Sequence, residues 1–224
     1  MHSVSQDAIF LSAMKVLKFG GSSVGTPGRI REVKRIIESQ PAPAVIVVSA
    51  LQGVTDQLCR INELAAEGSN DYRQLFTELI EKHISVALDL ITGISKQNAV
   101  TEKIRQISDE LENSLEEIRI MREADRHSAD LIITAGERLS SLIISSYLEG
   151  AILADYRELI KTSHNSNIPQ VDYPVTNKLI SEKIGNPAQH VIVPGFIATD
   201  FGGKITSLGR GGSDYTAAII SAAL

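Results

Sequence analysis

Cysteine is almost absent from the 224-residue chain: Cys59 stands alone, so no disulfide can form within it. A chain without disulfides fits a reducing compartment, and we expect a cytoplasmic protein. Cys59 follows a helical pattern with Leu58 and Ile61, which predicts a buried and inert thiol.

Basic clusters and long apolar runs are also missing. The net charge is −5 at pH 7, which argues against nucleic acid as the main partner. No apolar run approaches the ~18 residues that a membrane-spanning helix needs, so we expect no membrane partner. Hydrophobic residues still make up 43% of the chain, which is enough for a sizeable core.

Residues 1–13 differ in character from the rest of the chain. They lack a basic start and a long apolar segment, so they do not match a secretory signal. Met14 stands directly before the first apolar run. We expect Met14 to be the natural start and residues 1–13 to be a leader or a disordered extension.

Apolar runs that alternate with a helical pattern predict the fold class. Val16–Phe19 is typical of a strand, a helix is expected from Pro27, and Ala44–Ser49 is typical of a strand buried on both faces. This order is a βαβ unit, which predicts a parallel sheet and an α/β fold. Another buried strand is expected at His190–Gly195, followed by a hairpin around Phe201–Gly203.

Residues 68–126 carry two helical patterns with charged opposite faces. We expect a helical hairpin that bends near Thr92–Gly93 and either covers the sheet or serves as an interaction arm. His83 is expected at the rim of its helix. Leu131–Ala135 is ambiguous between strand and helix, and the polar stretch 162–173 is predicted to be a loop.

Glycines and hydroxyls follow the first strand. Gly20, Gly21 and Ser22 precede a helix start, where backbone N–H groups and the helix dipole favour an anion. Lys18 adds a positive charge just before the turn, so the stretch suits phosphate. It is not a P-loop, because Thr26-Pro27 stands where that motif requires lysine and serine or threonine. The alternative is a tight turn with a solvated lysine.

Polar residues near later apolar segments are further candidates. Ser49 and Thr55 follow the second strand, where parallel sheets place ligands, although both residue types also cap helices. Glu137 falls at a break between two apolar segments. Such a carboxylate is paired, solvated, or free to receive a cationic ligand. A turn after the strand at His190–Gly195 presents Phe196.

The loop Gly209–Asp214 combines three glycines with Arg210, Ser213 and Asp214. Glycine lets the backbone approach a ligand closely. Arg210 can hold a carboxylate or a phosphate through two parallel hydrogen bonds. Asp214 stands at the start of the next helix, where it either caps that helix or orients a lysine.

Taken together, Lys18–Val24, Ser49–Thr55, Gly136–Glu137 and Leu208–Tyr215 resemble the motifs of aspartate kinases, in order and in spacing. The resemblance implies the amino acid kinase fold, a three-layer, open, mainly parallel sheet with helices on both faces. It implies ATP-dependent phosphorylation of the L-aspartate β-carboxylate to 4-phospho-L-aspartate, the first step towards lysine, threonine and methionine. ATP would enter with Mg²⁺ bound through its phosphates, so no protein metal ligands are expected.

The same resemblance implies a role for each candidate residue. Lys18 would stabilise the transferring phosphoryl group, and Asp214 would orient lysine side chains around the phosphates. Glu137 would hold the ammonium of aspartate, and Arg210 its α-carboxylate. The expected substrate-binding residues are Ser49, Thr55, Glu137, Phe196, Arg210 and Ser213. The expected phosphate-binding residues are Lys18, Gly20, Gly21 and Ser22.

The resemblance also implies what lies outside this stretch of chain. Aspartate kinases carry their adenine-binding segment, a second phosphate-contacting lysine and regulatory ACT domains after the position that corresponds to Leu224. We expect residues 14–224 to be the aspartate-binding part of the kinase domain and to turn over poorly alone. The insertion at 68–126 resembles the form that is fused to homoserine dehydrogenase.

Other assignments stay open from the sequence. An exposed sheet edge would favour a homodimer or a larger homo-oligomer. Within the fold, the alternatives are kinases of the acetylglutamate or glutamate 5-kinase type. From a different class, the chain is a non-catalytic binding or assembly module.

Overall fold

A computed structural model describes residues 14–163 and 170–224, so the expected leader at 1–13 lies outside the described residues. The strands are β1 (Lys15–Phe19), β2 (Ala44–Val48), β3 (Ile152–Leu153), β4 (Lys161–Ser163), β5 (Gln170–Val171), β6 (Val191–Pro194), β7 (Ile197–Asp200) and β8 (Ile205–Ser207). The helices are α1 (Pro27–Glu38), α2 (Val54–Ala66), α3 (Tyr72–Leu90), α4 (Ile94–Met121), α5 (Arg126–Ile133), α6 (Ala135–Tyr147), α7 (Tyr173–Ile184) and α8 (Gly212–Ala223).

The main sheet has the order β1-β2-β6-β3, and every pairing in it is parallel. Phe19 lies opposite Val48, and Val48 lies opposite Pro194, so three strands end at the same edge. All five residues of β2 are buried, which explains its continuous run of apolar side chains. The predicted βαβ opening and parallel sheet are confirmed.

Helices cover both faces of this sheet. Ile46 and Val48 of β2 belong to a core with α1, α2 and α6, whereas Val45 and Val47 pack with α7 and α8 on the opposite face. Because side chains alternate along a strand, one strand supplies two separate cores. The three-layer α/β fold expected from the resemblance is therefore confirmed.

The hairpin of α3 and α4 packs against α2 and α6. Leu79, Leu111 and Leu115 are fully buried and belong to the same core as β2. The hairpin is thus a cover over the helical layer. The expectation for His83 was wrong, because its side chain is fully buried and its Nδ1 lies 2.7 Å from the Leu79 carbonyl oxygen. Burial lowers the pKa of His83 to about 4.

A second, smaller sheet has the order β5-β4-β7-β8. β7 and β8 form the predicted antiparallel hairpin. The prediction of a loop over 162–173 was wrong in part, because β4 and β5 pair antiparallel within it. Strands of two or three residues are too short to show an alternating pattern. The ambiguous run Leu131–Ala135 is helical on both sides of Thr134, where α5 ends and α6 begins.

None of the helices among the described residues combines the length and the apolar character that crossing a membrane requires.

Candidate active site

A cavity of about 670 Å³ opens where β1, β2 and β6 end. Open parallel sheets place their ligands at this edge. Most of the candidate residues line it: Lys18, Gly21, Ser49, Thr55, Glu137, Phe196, Arg210, Ser213 and Asp214. Gly20 and Ser22 are not among the lining residues, and Ser22 is exposed on the turn. The fold therefore brings together segments from the beginning, the middle and the end of the described chain.

Lys18 and Asp214 form an ion pair in this cavity, with 2.9 Å between Lys18 Nζ and Asp214 Oδ1. The Lys18 side chain is 24% exposed and that of Asp214 is 74% exposed, so water screens the pair. A Cβ added at Gly20 would lie 3.3 Å from Lys18 Nζ, so glycine leaves space for the ammonium. The ion pair holds the Lys18 ammonium at the cavity wall, and the exposed side of this ammonium is open to a ligand.

Two N–H groups of the glycine turn are used within the turn itself. The N–H groups of Ser23 and Val24 donate to the Gly20 carbonyl oxygen at 2.8 and 3.2 Å, so they are used inside the turn. Helix α1 begins only at Pro27, and the Thr26 side chain caps it by accepting from the Arg29 N–H. The start of α1 is therefore capped by its own residues.

Glu137 is buried at the start of α6, with 4% of its surface exposed. A Cβ added at Gly136 would lie 2.6 Å from the Ala50 Cβ, so glycine lets α6 pack directly on the segment after β2. The Ala50 N–H donates to the Glu137 carboxylate, but Oε2 is buried without a hydrogen-bond partner among the described residues. The solvated alternative for Glu137 was wrong.

Burial raises the pKa of Glu137 to about 8, although the Ala50 N–H, its own N–H and the Lys18 charge each act to lower it. A carboxyl group in this state is mostly protonated at neutral pH. A cation that reaches Oε2 would replace the proton and restore the ionised form.

Close packing at Gly195 and Gly212 positions the part of the cavity wall that Phe196 and Ser213 form. Phe196 adopts a left-handed backbone conformation with φ of 69°, and its N–H donates to Thr216 Oγ1 at 2.9 Å. A Cβ added at Gly195 would lie 2.7 Å from Ser213 Cβ, and one at Gly212 would lie 2.4 Å from Phe196 Cδ2. The start of α8 therefore docks on the turn after β6, which fixes Ser213 at the cavity and leaves Arg210 exposed at its rim.

Two lining residues on α2 were missed by the sequence-based assignment, namely Asp56 and Cys59. They stand three positions apart and so share one face of the helix. Cys59 is exposed, so the prediction of a buried thiol was wrong. It comes directly after the buried Leu58, and one helical step of about 100° turns it off the apolar stripe. Partial burial and the nearby carboxylates Asp56 and Glu63 raise the pKa of the thiol.

Residues 13–224 match the model of the amino acid kinase family. The chain belongs to this family. Bifunctional aspartokinase/homoserine dehydrogenase 2, chloroplastic, from Zea mays is 31% identical over 230 residues, which cover 97% of this chain and 25% of that protein. Lysine-sensitive aspartokinase 3 from Escherichia coli is 31% identical over 228 residues, covering 96% of this chain and 47% of that protein.

Solved structures agree with this assignment of the fold. E. coli aspartokinase III in complex with aspartate and ADP (R-state) superposes with a TM-score of 0.82 at 26% identity, covering 94% of this chain and 46% of that one. Its complex with lysine and aspartate (T-state) gives a TM-score of 0.84 at 25% identity, covering 95% and 47%. This family member spans between a quarter and a half of the length of these relatives.

Proposed function

We propose that this amino acid kinase is an aspartate kinase, which transfers the γ-phosphoryl group of ATP to the β-carboxylate of L-aspartate. The observation that carries the proposal is Glu137, a buried carboxyl group in a cavity that also holds a lysine. One of its oxygens has no hydrogen-bond partner among the residues that the structure describes. An amino acid substrate with a free ammonium suits that carboxyl group. The relatives named as aspartokinases support the same choice of substrate.

The cavity offers opposite charges for the two ends of a zwitterion. Glu137 would accept hydrogen bonds from the ammonium, and Arg210 at the rim would donate two parallel hydrogen bonds to the α-carboxylate. The hydroxyls of Ser49, Thr55 and Ser213 supply the remaining donors. Phe196 closes the wall beside them. This arrangement would leave the β-carboxylate as the free nucleophile.

Phosphoryl transfer then requires two anions to meet. One β-carboxylate oxygen forms a bond to the γ-phosphorus, the bond from that phosphorus to the bridging oxygen breaks, and ADP leaves with the electron pair. The carboxylate is ionised at neutral pH, so no general base is needed. Lys18 would offset the charge repulsion, and Asp214 would orient Lys18 through their ion pair. Gly20 and Gly21 would contribute close backbone approach at the phosphate side.

Mg²⁺ would accompany ATP. Among residues 14–163 and 170–224, no group of three or more His, Cys, Asp or Glu side chains is placed to hold a metal ion. Mg²⁺ usually keeps few protein ligands when it binds together with substrate phosphates, and we expect the ion to be held through the nucleotide phosphates. The residues of this chain would act on the substrate and on the phosphoryl charge.

The test is an acceptor comparison on the full-length gene product, measuring ATP-dependent phosphorylation of L-aspartate, L-glutamate and N-acetyl-L-glutamate. We expect L-aspartate to have the highest kcat/KM. A preference for L-glutamate or its acetyl derivative would assign another activity of the same family. Failure of aspartate and of nucleotide to bind would support a non-catalytic assembly module instead.

Assembly and location complete the proposal. We expect a homodimer or a larger homo-oligomer, because strand β3 leaves Ile152 and Leu153 exposed at the sheet edge. A cytoplasmic location is expected from the single cysteine. Sedimentation analysis of the full-length protein measures the first expectation, and a monomer at working concentration would contradict it.

A further inference from the structure

A second cavity, of about 380 Å³, lies between α4, α6 and the segment after β3. Glu137 lines the first cavity and Arg138, the next residue of α6, lines the second. None of the residues proposed for aspartate or phosphate binding lines the second cavity. Its apolar wall is formed by Ile107, Leu142, Leu153, Ala154 and Pro194.

Two residues that line this cavity each carry a buried donor without an acceptor among the described residues. Arg138 is only 7% exposed; its Nη2 pairs with Glu110, but its Nη1 is buried and has no hydrogen-bond partner among the described residues. The Tyr156 hydroxyl is likewise buried without a partner in the described parts of the chain. The Arg138 guanidinium lies 5.9 Å from the centre of the Tyr156 ring. Buried donors without acceptors are costly, so an acceptor that enters this cavity is favoured.

The charges around the cavity favour a monoanion. Lys103, Arg138 and Arg157 line it, and all three are cations. Glu110 pairs with Arg138, and Asp155 Oδ1 lies 3.7 Å from Arg157 Nη1. Three cations therefore face two carboxylates, which leaves one positive charge in excess. A ligand with a single negative charge would balance the group. Apolar walls beside the donors require a hydrocarbon body on the same ligand.

We propose that this cavity binds a small organic monocarboxylate with an apolar body. Its carboxylate accepts hydrogen bonds from Arg138 Nη1 and the Tyr156 hydroxyl, and its hydrocarbon part packs against Ile107 and Leu142. Lys103 and Arg157 stand exposed at the opening, where they attract the anion. The inference does not depend on the proposed kinase activity.

The test is a titration of the protein with isovalerate, followed by two-dimensional NMR, with the uncharged isovaleramide as its matched control. We expect saturable binding of isovalerate and at least about 10-fold weaker binding of the amide, because the amide lacks the charge. Equal affinities for the two probes, or no saturable binding of isovalerate, would overturn the proposal. Tighter binding of inorganic phosphate than of isovalerate would overturn the carboxylate assignment.

Two substitutions locate the site. Tyr156→Phe removes one donor and is expected to weaken isovalerate binding about 5-fold. Lys103→Gln is expected to weaken it, whereas Arg105→Gln, an exposed cation two positions away that does not line the cavity, leaves it unchanged. The comparison of Lys103→Gln with Arg105→Gln, both on the surface, keeps the test decisive if Tyr156→Phe fails to fold. Equal effects of Lys103→Gln and Arg105→Gln would contradict this location.

Discussion

Replacing Glu137 by Gln tests the most unusual group in the proposed active site. The carboxyl group has a pKa of about 8 because it is buried, so it is protonated at neutral pH before a ligand arrives. An ammonium that binds to Oε2 needs the ionised form. Aspartate binding must then release a proton, amounting to about 0.9 protons per aspartate at pH 7.

The same coupling sets how affinity depends on pH. Below pH 8 the proton competes with the ammonium, so the affinity for aspartate is expected to rise about 50-fold between pH 6 and pH 8. Glu137→Gln cannot release a proton, so this rise should disappear. The variant also loses a charged hydrogen-bond partner, worth about 1.5–3 kcal/mol, so binding at pH 8 should weaken about 10–100-fold.

Calorimetry in two buffers of different ionisation enthalpy measures the released proton directly. Glu117→Gln, on the exposed side of α4, is the matched control and should behave like the unsubstituted protein. Aspartate binding without proton release, or the same pH dependence in the Glu137→Gln variant, would refute the reasoning.

Three further predictions concern packing, acid stability and phosphoryl transfer. Gly136→Ala should lower the free energy of unfolding by about 1–3 kcal/mol, measured by thermal denaturation, because the new methyl meets the Ala50 Cβ. His83 has a folded pKa near 4, below its ordinary 6.5, so the unfolded chain takes up this proton first as the pH falls. The free energy of unfolding should therefore drop by about 3 kcal/mol between pH 6.5 and pH 4. In denaturant titrations, the His83→Gln variant should show a flatter dependence of stability on pH. Lys18→Met should lower kcat of the full-length kinase about 100–1000-fold, whereas Lys15→Met on the same strand should leave it near the original value.

The central strands were predictable because their environment is uniform. β2 is buried on both faces, so every position selects an apolar side chain, and the run Ala44–Val48 shows this without any reference to distant residues. The short apolar run of β6 is equally clear in the sequence, since all four of its residues are buried. β4 and β5 were missed because a strand of two or three residues carries too little pattern to separate it from a loop.

The chemistry of the cavity depends on contacts that no local pattern reveals. Glu137 is buried because Gly136 allows α6 to press on Ala50, a residue far away in the chain. Cys59 is exposed because it points off the apolar stripe of α2 towards the cavity. The meeting of Lys18 with Asp214 was anticipated only through the resemblance to aspartate kinases, since neither turn alone specifies its partner.

Binding of L-aspartate compared with N-acetyl-L-aspartate tests the central claim most directly, because acetylation converts the ammonium that Glu137 is proposed to hold into a neutral amide. Calorimetric titration should show one site for L-aspartate and at least about 10-fold weaker binding of the acetylated compound. Equal affinities would contradict an ammonium pocket at Glu137, and the assignment of aspartate as the substrate would lose its structural support.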